Sequence, residues 1–124
     1  MQTFKVTLLE VSEGRVTLEL PISTAVSQQN GFVHAGAIAS VLDSACGFAA
    51  LSVMDDLSDV LAVEFKIYFV APAVGVAVQV MAEVIKAGRT ITLCKGEEFA
   101  VSTGGALKLV AVMQATMIRV ERKP

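Results

Sequence analysis

The chain places its one histidine and a single carboxylate inside a run of small apolar residues, NGFVHAGAIASVLDSACGFAA, at positions 30–50. His34 opens the run and Asp43 lies in its middle. Both side chains are suited to proton transfer, and the carboxylate is also a candidate nucleophile. A polar group is costly to bury without a partner. The run is therefore either a membrane span or a buried helix whose two polar residues have a function.

The buried helix is the better interpretation. Residues 35–54 are long enough to span a bilayer, but an Asp near the bilayer centre costs about 3 kcal/mol on insertion scales. The insertion of Ala, Gly and Ser offsets little of this free energy. The N-terminal MQTFKVTLLEVSEGRV alternates and carries charge early, unlike a signal peptide. We therefore expect a cytoplasmic protein with no membrane partner.

The residues alone leave the role of each polar side chain open. Asp43 is either a base or nucleophile, or a buried Asp satisfied by neighbouring hydroxyl or backbone groups. His34 by itself is more typical of a packed or capping histidine than of a catalyst. Cys46 and Cys94 show neither CxxC nor metal spacing, so two buried thiols are expected rather than a disulfide or a zinc site.

Composition limits the class of protein. A length of 124 residues fits a single domain, 1–124. Only 18% of residues are charged while 54% are hydrophobic, which is unusual for a small monomer and favours an oligomer. The net charge is −2 and the basic residues are scattered, which argues against a nucleic-acid partner. No glycine-rich phosphate loop is present.

Around the helix, alternation predicts six strands. TFKVTLL and RVTLEL form a hairpin about SEG, and VLAVEFKIYFVAP is a half-buried strand that ends at Pro72. GVAVQVMAEVIKAGR and TITLCKGEEFAV meet at a turn at residues 87–89, and ALKLVAVMQATMIRV follows STGG. The short connections indicate an antiparallel sheet. The predicted class is therefore α+β, with a curved antiparallel sheet wrapped around one long central helix.

This pattern, with GFVHAGAIASVLDSACGFAA at its centre, resembles the hotdog-fold acyl-CoA thioesterases of the PaaI type, the thioesterase of phenylacetate degradation. That family has a His-Gly-Gly at the start of the central helix and an Asp nine residues after the His. YFVAP and AEVIKAGRT are similar to further pieces of the family pattern. The chain departs from it at Ala35, where the first Gly is usual, and at Ala62, where some relatives have a Ser that helps to hold water.

The resemblance implies a role for each candidate residue. Asp43 is the base or nucleophile, and the free N–H groups of Ala35 and Gly36 form the oxyanion site. His34 orients the carbonyl end of the substrate, and an amide from Gln28, with Asn30 as the alternative, contacts the water or the thioester. Arg89 could pair with a phosphate of coenzyme A, although a lone turn Arg is more often solvated.

Spacing predicts how these groups meet. Asp43 lies nine residues after His34, about 13 Å along a helix at 1.5 Å per residue, too far to serve the same carbonyl as the helix start. Two antiparallel helices would bring the first turn of one near the carboxylate of the other. We therefore expect a homodimer with shared active sites. The family adds a homotetramer, an acyl-CoA substrate, and no metal or other cofactor.

Two other functions compete with thioester hydrolysis. One is a non-catalytic acyl-CoA-binding hotdog module, suggested by Ala62 in place of Ser. The other is a hotdog hydratase or dehydratase, for which the sequence shows no signature. The acyl group itself is left open.

Overall fold

The computed structural model describes residues 6–22 and 35–122. Within these ranges two strands precede a single helix, α1, and four strands follow it. The helix spans Ala35–Leu51. The strands are β1 (Thr7–Ser12), β2 (Arg15–Pro21), β3 (Ser58–Phe69), β4 (Ala77–Ala87), β5 (Ile91–Val101) and β6 (Leu107–Glu121). This order confirms the predicted hairpin, helix and four strands.

The six strands form one antiparallel sheet in the order β1-β2-β4-β5-β6-β3. The first turn is tight because Gly14 has a φ of +79°, which a residue with a side chain rarely adopts. β1 ends at Ser12, three residues later than the alternation predicts. The two edges of the sheet are β1 and β3.

The helix lies across one face of the sheet and runs antiparallel to β5. Near its end, the Ser52 hydroxyl accepts a hydrogen bond from the Gly14 N–H at 2.7 Å, which ties the last turn to the β1–β2 turn. The Cys94 thiol donates to the carbonyl of Cys46 at 3.5 Å. The start of α1 therefore lies at the opposite end, where β5 finishes at Val101.

Close packing between α1 and β5 depends on a glycine. A Cβ at Gly96 would lie 2.9 Å from Leu42 Cδ2 and 3.3 Å from Cys46 Sγ, closer than side-chain atoms normally approach. The glycine lets the helix rest directly on the strand. The sheet-facing side of α1 is buried and consists of small and medium apolar residues, namely Ala37, Ile38, Val41, Leu42, Ala45, Cys46, Ala49 and Ala50.

Two expectations about burial are wrong for the isolated chain. The predicted buried helix is not buried throughout, since Phe48, on its β1 side, is 52% exposed. β3 is not half-buried, because it is an edge strand whose side chains, including Leu61 (59%) and Val63 (57%), are mostly exposed. Alternation identified the strands, but it does not show which strands the chain itself covers. In the part of the chain that the structure describes, no helix is long and apolar enough to cross a membrane.

Candidate active site

Asp43 lies in the middle of α1 on a side that faces away from the sheet, and its side chain is partly buried. Its Oδ1 atom is buried and has no hydrogen-bond partner among the described residues. Burial raises the pKa of this carboxyl above the ordinary value of 3.8, because a charged group loses hydration there. A carboxylate with an unused acceptor atom and a raised pKa is suited to take a proton from water.

The helical rotation shows where this carboxylate points. Phe48 lines a cavity beside β1, while Leu42 lies above Gly96 of β5. Viewed along the helix axis, the Leu42 side chain is rotated by about 120° from that of Phe48. The Asp43 side chain is rotated by about a further 100° in the same direction. Asp43 therefore lies on the β3 side of the helix, facing the exposed edge strand.

Small residues surround Asp43 along the same stripe of the helix. Gly36, Ser40, Asp43 and Gly47 follow one another at spacings of four, three and four residues, which places them on one face. A Cβ at Gly36 or at Gly47 would meet nothing within 4 Å. Among the described residues, the helix surface on both sides of the carboxylate along this stripe is therefore open.

Ala35 and Gly36 begin the helix, as predicted, and both are exposed. The N–H groups of a first helical turn have no partner within the helix, and they carry the positive end of the helix dipole. Groups of this kind are suited to bind an oxyanion. The other three predicted site residues, Gln28, Asn30 and His34, lie outside the described residues.

Arg89 is exposed in the β4–β5 turn, which lies at the end of the sheet opposite the start of α1. Within one chain, Arg89 is therefore remote from Ala35 and Gly36.

Ala62 lies on β3 immediately before a β-bulge and pairs with Met117 of β6. β-Bulges often redirect side chains near active sites, and here the residue before the bulge carries no hydroxyl.

The structure adds one ionisable residue that the sequence did not single out. Glu98 on β5 is completely buried on the helix-facing side of the sheet. Neither carboxyl oxygen has a hydrogen-bond partner among the described residues. Burial raises the pKa of Glu98 to about 8.

Cys46 and Cys94 are free and buried, as predicted, and burial raises their pKa values to about 12 and about 11.

A comparison with protein families identifies the family of this chain. The model of the thioesterase superfamily matches residues 30–104, which include the helix start, Asp43 and β3. The chain belongs to this superfamily. By class it is a thioester hydrolase, as predicted.

Individual relatives support the same family. A Saccharolobus solfataricus protein for which an esterase activity has been proposed is 30% identical over 99 residues, covering 77% of this chain and 70% of that protein. A solved thioesterase family protein from Silicibacter pomeroyi is 41% identical, covers 98% of this chain and 89% of its own, and has a TM-score of 0.94.

More distant structures share the fold. Two alanine variants of one Staphylococcus aureus protein, described in one case as a thioesterase, are 21% and 22% identical, with TM-scores of 0.87 and 0.85. The first match covers 98% of this chain and 98% of the other, and the second covers 99% of this chain and 97% of the other. The Escherichia coli PaaI protein of the phenylacetic acid degradation operon is 18% identical, with a TM-score of 0.82 over 96% of this chain and 82% of its own. The predicted hotdog fold and PaaI-type resemblance are confirmed.

Proposed function

We propose that the protein hydrolyses acyl- or aryl-CoA thioesters to the free acid and coenzyme A, with Asp43 as the base or nucleophile. The observation that carries this proposal is the carboxylate itself, which lies partly buried on an open stripe of α1 with a buried oxygen that no described residue pairs. Thioester hydrolysis needs such a group beside the attacking water and donors for the oxyanion that develops.

The Staphylococcus aureus variants support the choice of residues. Their alanine substitutions replace a glutamate and a glutamine that lie fifteen positions apart in that chain. Here Gln28 and Asp43 are also fifteen positions apart. The same pairing of an amide and a carboxylate favours Gln28 over Asn30 as the amide of the site, with the amide orienting the water that the carboxylate activates.

The oxyanion donors come from a second copy of the chain in this proposal. An antiparallel helix placed on the stripe would set Gly36 of one copy opposite Gly47 of the other, and Ser40 opposite Asp43. The first turn of the second helix is then only about four residues, or about 6 Å along the axis, from Asp43. The intervening gap is where we place the thioester carbonyl.

The β3 edge provides the surface for this pairing. It is twelve residues long and exposes apolar side chains, and among the described residues it has a strand neighbour only on the β6 side. An uncovered apolar edge of this length is prone to pair with another strand. Because Asp43 faces this edge, pairing of two β3 strands would bring two α1 helices together on the same side of a continuous sheet. Two such dimers would form the tetramer expected for the family.

The remaining predicted residues have supporting roles. His34 would orient the substrate carbonyl. Arg89 of a given copy, at the end of the sheet opposite its own helix start, would approach the helix start of the second copy and bind a phosphate of coenzyme A there. The chemistry requires no metal or other cofactor, since a carboxylate, a water and N–H donors are sufficient.

Thiol release from phenylacetyl-, benzoyl- and octanoyl-CoA tests the proposal. We expect turnover by the parent, and a loss of about 10²- to 10⁴-fold in kcat for Asp43→Asn, the range typical of a general base. Asp56→Asn, at an exposed position after the helix, is the matched control and should behave as the parent. Equal turnover by parent and Asp43→Asn would refute the assigned role.

Mixed dimers test the shared site. Gly36→Pro removes one oxyanion donor at a helical position that tolerates proline, and Gly36→Ala controls for the added side chain. When inactive Gly36→Pro and Asp43→Asn chains are mixed, half of the dimers are mixed and each has one intact site. Activity should return to about a quarter of the parent value. No recovery, with mixed dimers present by mass spectrometry, would contradict a shared site.

A further inference from the structure

Glu98 is a buried acid for which the proposed mechanism has no use. It is 0% exposed, and neither oxygen has a hydrogen-bond partner in the described ranges 6–22 and 35–122. Buried carboxyl groups are nearly always paired, so an unpaired one calls for an explanation. Burying a polar group without a hydrogen bond lowers the free energy of unfolding by several times as much as an ordinary surface substitution does.

Its position relative to α1 follows from Gly96. Glu98 is two residues further along β5 on the same face, about 7 Å closer to the end of the strand. Since the helix is antiparallel to β5 and Gly96 lies under Leu42, this step corresponds to about one helical turn toward the start. Glu98 therefore lies under the level of Ile38, beneath the first two turns of the helix.

The pairing of β5 with β6 is irregular beside Glu98. Glu98 pairs with Ala111 of β6, whereas the next residue, Phe99, pairs with Leu109, so Val110 is an extra residue in a β-bulge. On the other side Glu98 pairs with Val80 of β4. The neighbours across both strands are thus apolar, and the bulge on β6 interrupts the regular pairing directly beside the buried acid.

No described charge neutralises the carboxyl. The other titratable groups on the same helix-facing surface are the thiols of Cys46 and Cys94, toward the other end of the helix, and Lys108 of β6. Lys108 pairs with Ala100, two residues beyond Glu98, and is exposed. Arg119 is on β6, beside the far end of β5. Asp43 projects from the opposite side of α1. The residues that pair directly with Glu98, Val80 and Ala111, are apolar, and the Lys108 side chain is exposed to solvent, so neither carboxyl oxygen has a hydrogen-bond partner among the described residues.

We propose that Glu98 is a positioning residue whose uncharged carboxyl supports the first turns of α1, and that its ionisation lowers catalytic activity. This inference rests on the proposed function. A negative charge beneath the helix start would repel the oxyanion that develops at the N–H groups of the first turn. It would also draw water toward the packed helix start. The pKa of about 8 for Glu98 places the change above neutral pH.

The test follows thioester turnover between pH 6 and pH 9.5, after subtraction of the uncatalysed rate. For phenylacetyl- and octanoyl-CoA, we expect kcat of the parent to fall about tenfold as pH rises through 8. That is the size expected of a unit charge about 10 Å from the oxyanion at an effective dielectric constant of about 20. Glu98→Gln should remove this fall. Glu97→Gln, on the opposite face of the same strand, should retain it. An unchanged alkaline fall in Glu98→Gln would overturn the proposal.

A second measurement does not depend on activity. In ¹⁵N-labelled parent protein, the amide signals of Ala35 and Gly36 should titrate near pH 8, and Glu98→Gln should abolish this titration. Identical titrations in the two proteins would refute the inference, whether or not the proteins hydrolyse thioesters. Absence of hydrolysis by the parent would refute the proposed function separately. If Glu98→Gln does not fold, an NMR titration of the ¹³C-labelled Glu98 carboxyl in the parent replaces it as the test. A midpoint in the ordinary range near 4.5 would refute the inference.

Discussion

The buried carboxyl of Glu98 makes the stability of the protein depend on pH in an unusual direction. In the unfolded chain this group ionises near 4.5, whereas in the folded protein its pKa is about 8. Between these two values the folded state holds a proton that the unfolded state has released. The free energy of unfolding must therefore fall as pH rises through this window, and the contribution of Glu98 is complete only below about pH 4.5.

The magnitude follows from the two pKa values. One pKa unit is worth about 1.4 kcal/mol. From pH 5 to pH 8 the parent should lose about 3 kcal/mol of its free energy of unfolding through this one group. Glu98→Gln keeps the size of the side chain but cannot ionise. We expect it to match the parent to within about 1 kcal/mol at pH 5, and to exceed it by about 4 kcal/mol at pH 8.

Urea unfolding at pH 5, 6, 7 and 8 at constant ionic strength and protein concentration measures this difference. Asp43, Cys46 and Cys94 also have raised pKa values, but they are present in both proteins and cancel in the comparison. Glu97→Gln, on the opposite face of β5, serves as the control and should parallel the parent. If parent and Glu98→Gln lost stability with the same slope, the buried acid would be ionised or paired in the folded state, and the reasoning would be wrong.

Two further predictions concern α1. Gly96→Ala should lower the free energy of unfolding by about 1–3 kcal/mol, because the added Cβ would lie 2.9 Å from Leu42 Cδ2. Urea unfolding checks this, and Gly104→Ala, where a Cβ would approach only Ser102 Oγ at 4.0 Å, should cost far less. If Asp43 is the base, kcat should fall on the acid side through a pKa above the ordinary 3.8 of an aspartate, since only the ionised carboxylate takes a proton. A pH–rate profile checks this, and full activity down to pH 4 would contradict it.

Much of the fold could be predicted because its signals are local. Alternation of apolar and polar residues marked the strands, and the run of small apolar residues marked the helix that begins at Ala35. Asp43 stood out because a carboxylate in such a run is costly to bury. Its position on a partly buried face of α1, with an unpaired oxygen, agrees with that reasoning.

The burial of β3 and the role of Glu98 could not be predicted in the same way. The apolar face of β3 is as regular as that of an inner strand, but the sequence does not show whether the same chain covers it. In β5 both faces carry apolar residues, Cys94 on one and Phe99 on the other. Alternation required only that one of the adjacent Glu97 and Glu98 point inward. The register of β5 against α1, which decides which one does, is a property of tertiary packing.

The strand order has a consequence for synthesis of the chain. β3 pairs with β6 and with no other strand that the structure describes, although about 50 residues separate the end of β3 at Phe69 from the end of β6 at Glu121. At 5–20 residues per second, β3 waits roughly 3–10 s on the ribosome before its partner has been made. During that time its apolar side chains are open to chaperones or to other nascent chains. β6, the last strand that the structure describes, therefore completes the pairing of β3, and a chain cut short before Leu107 would leave β3 without this partner.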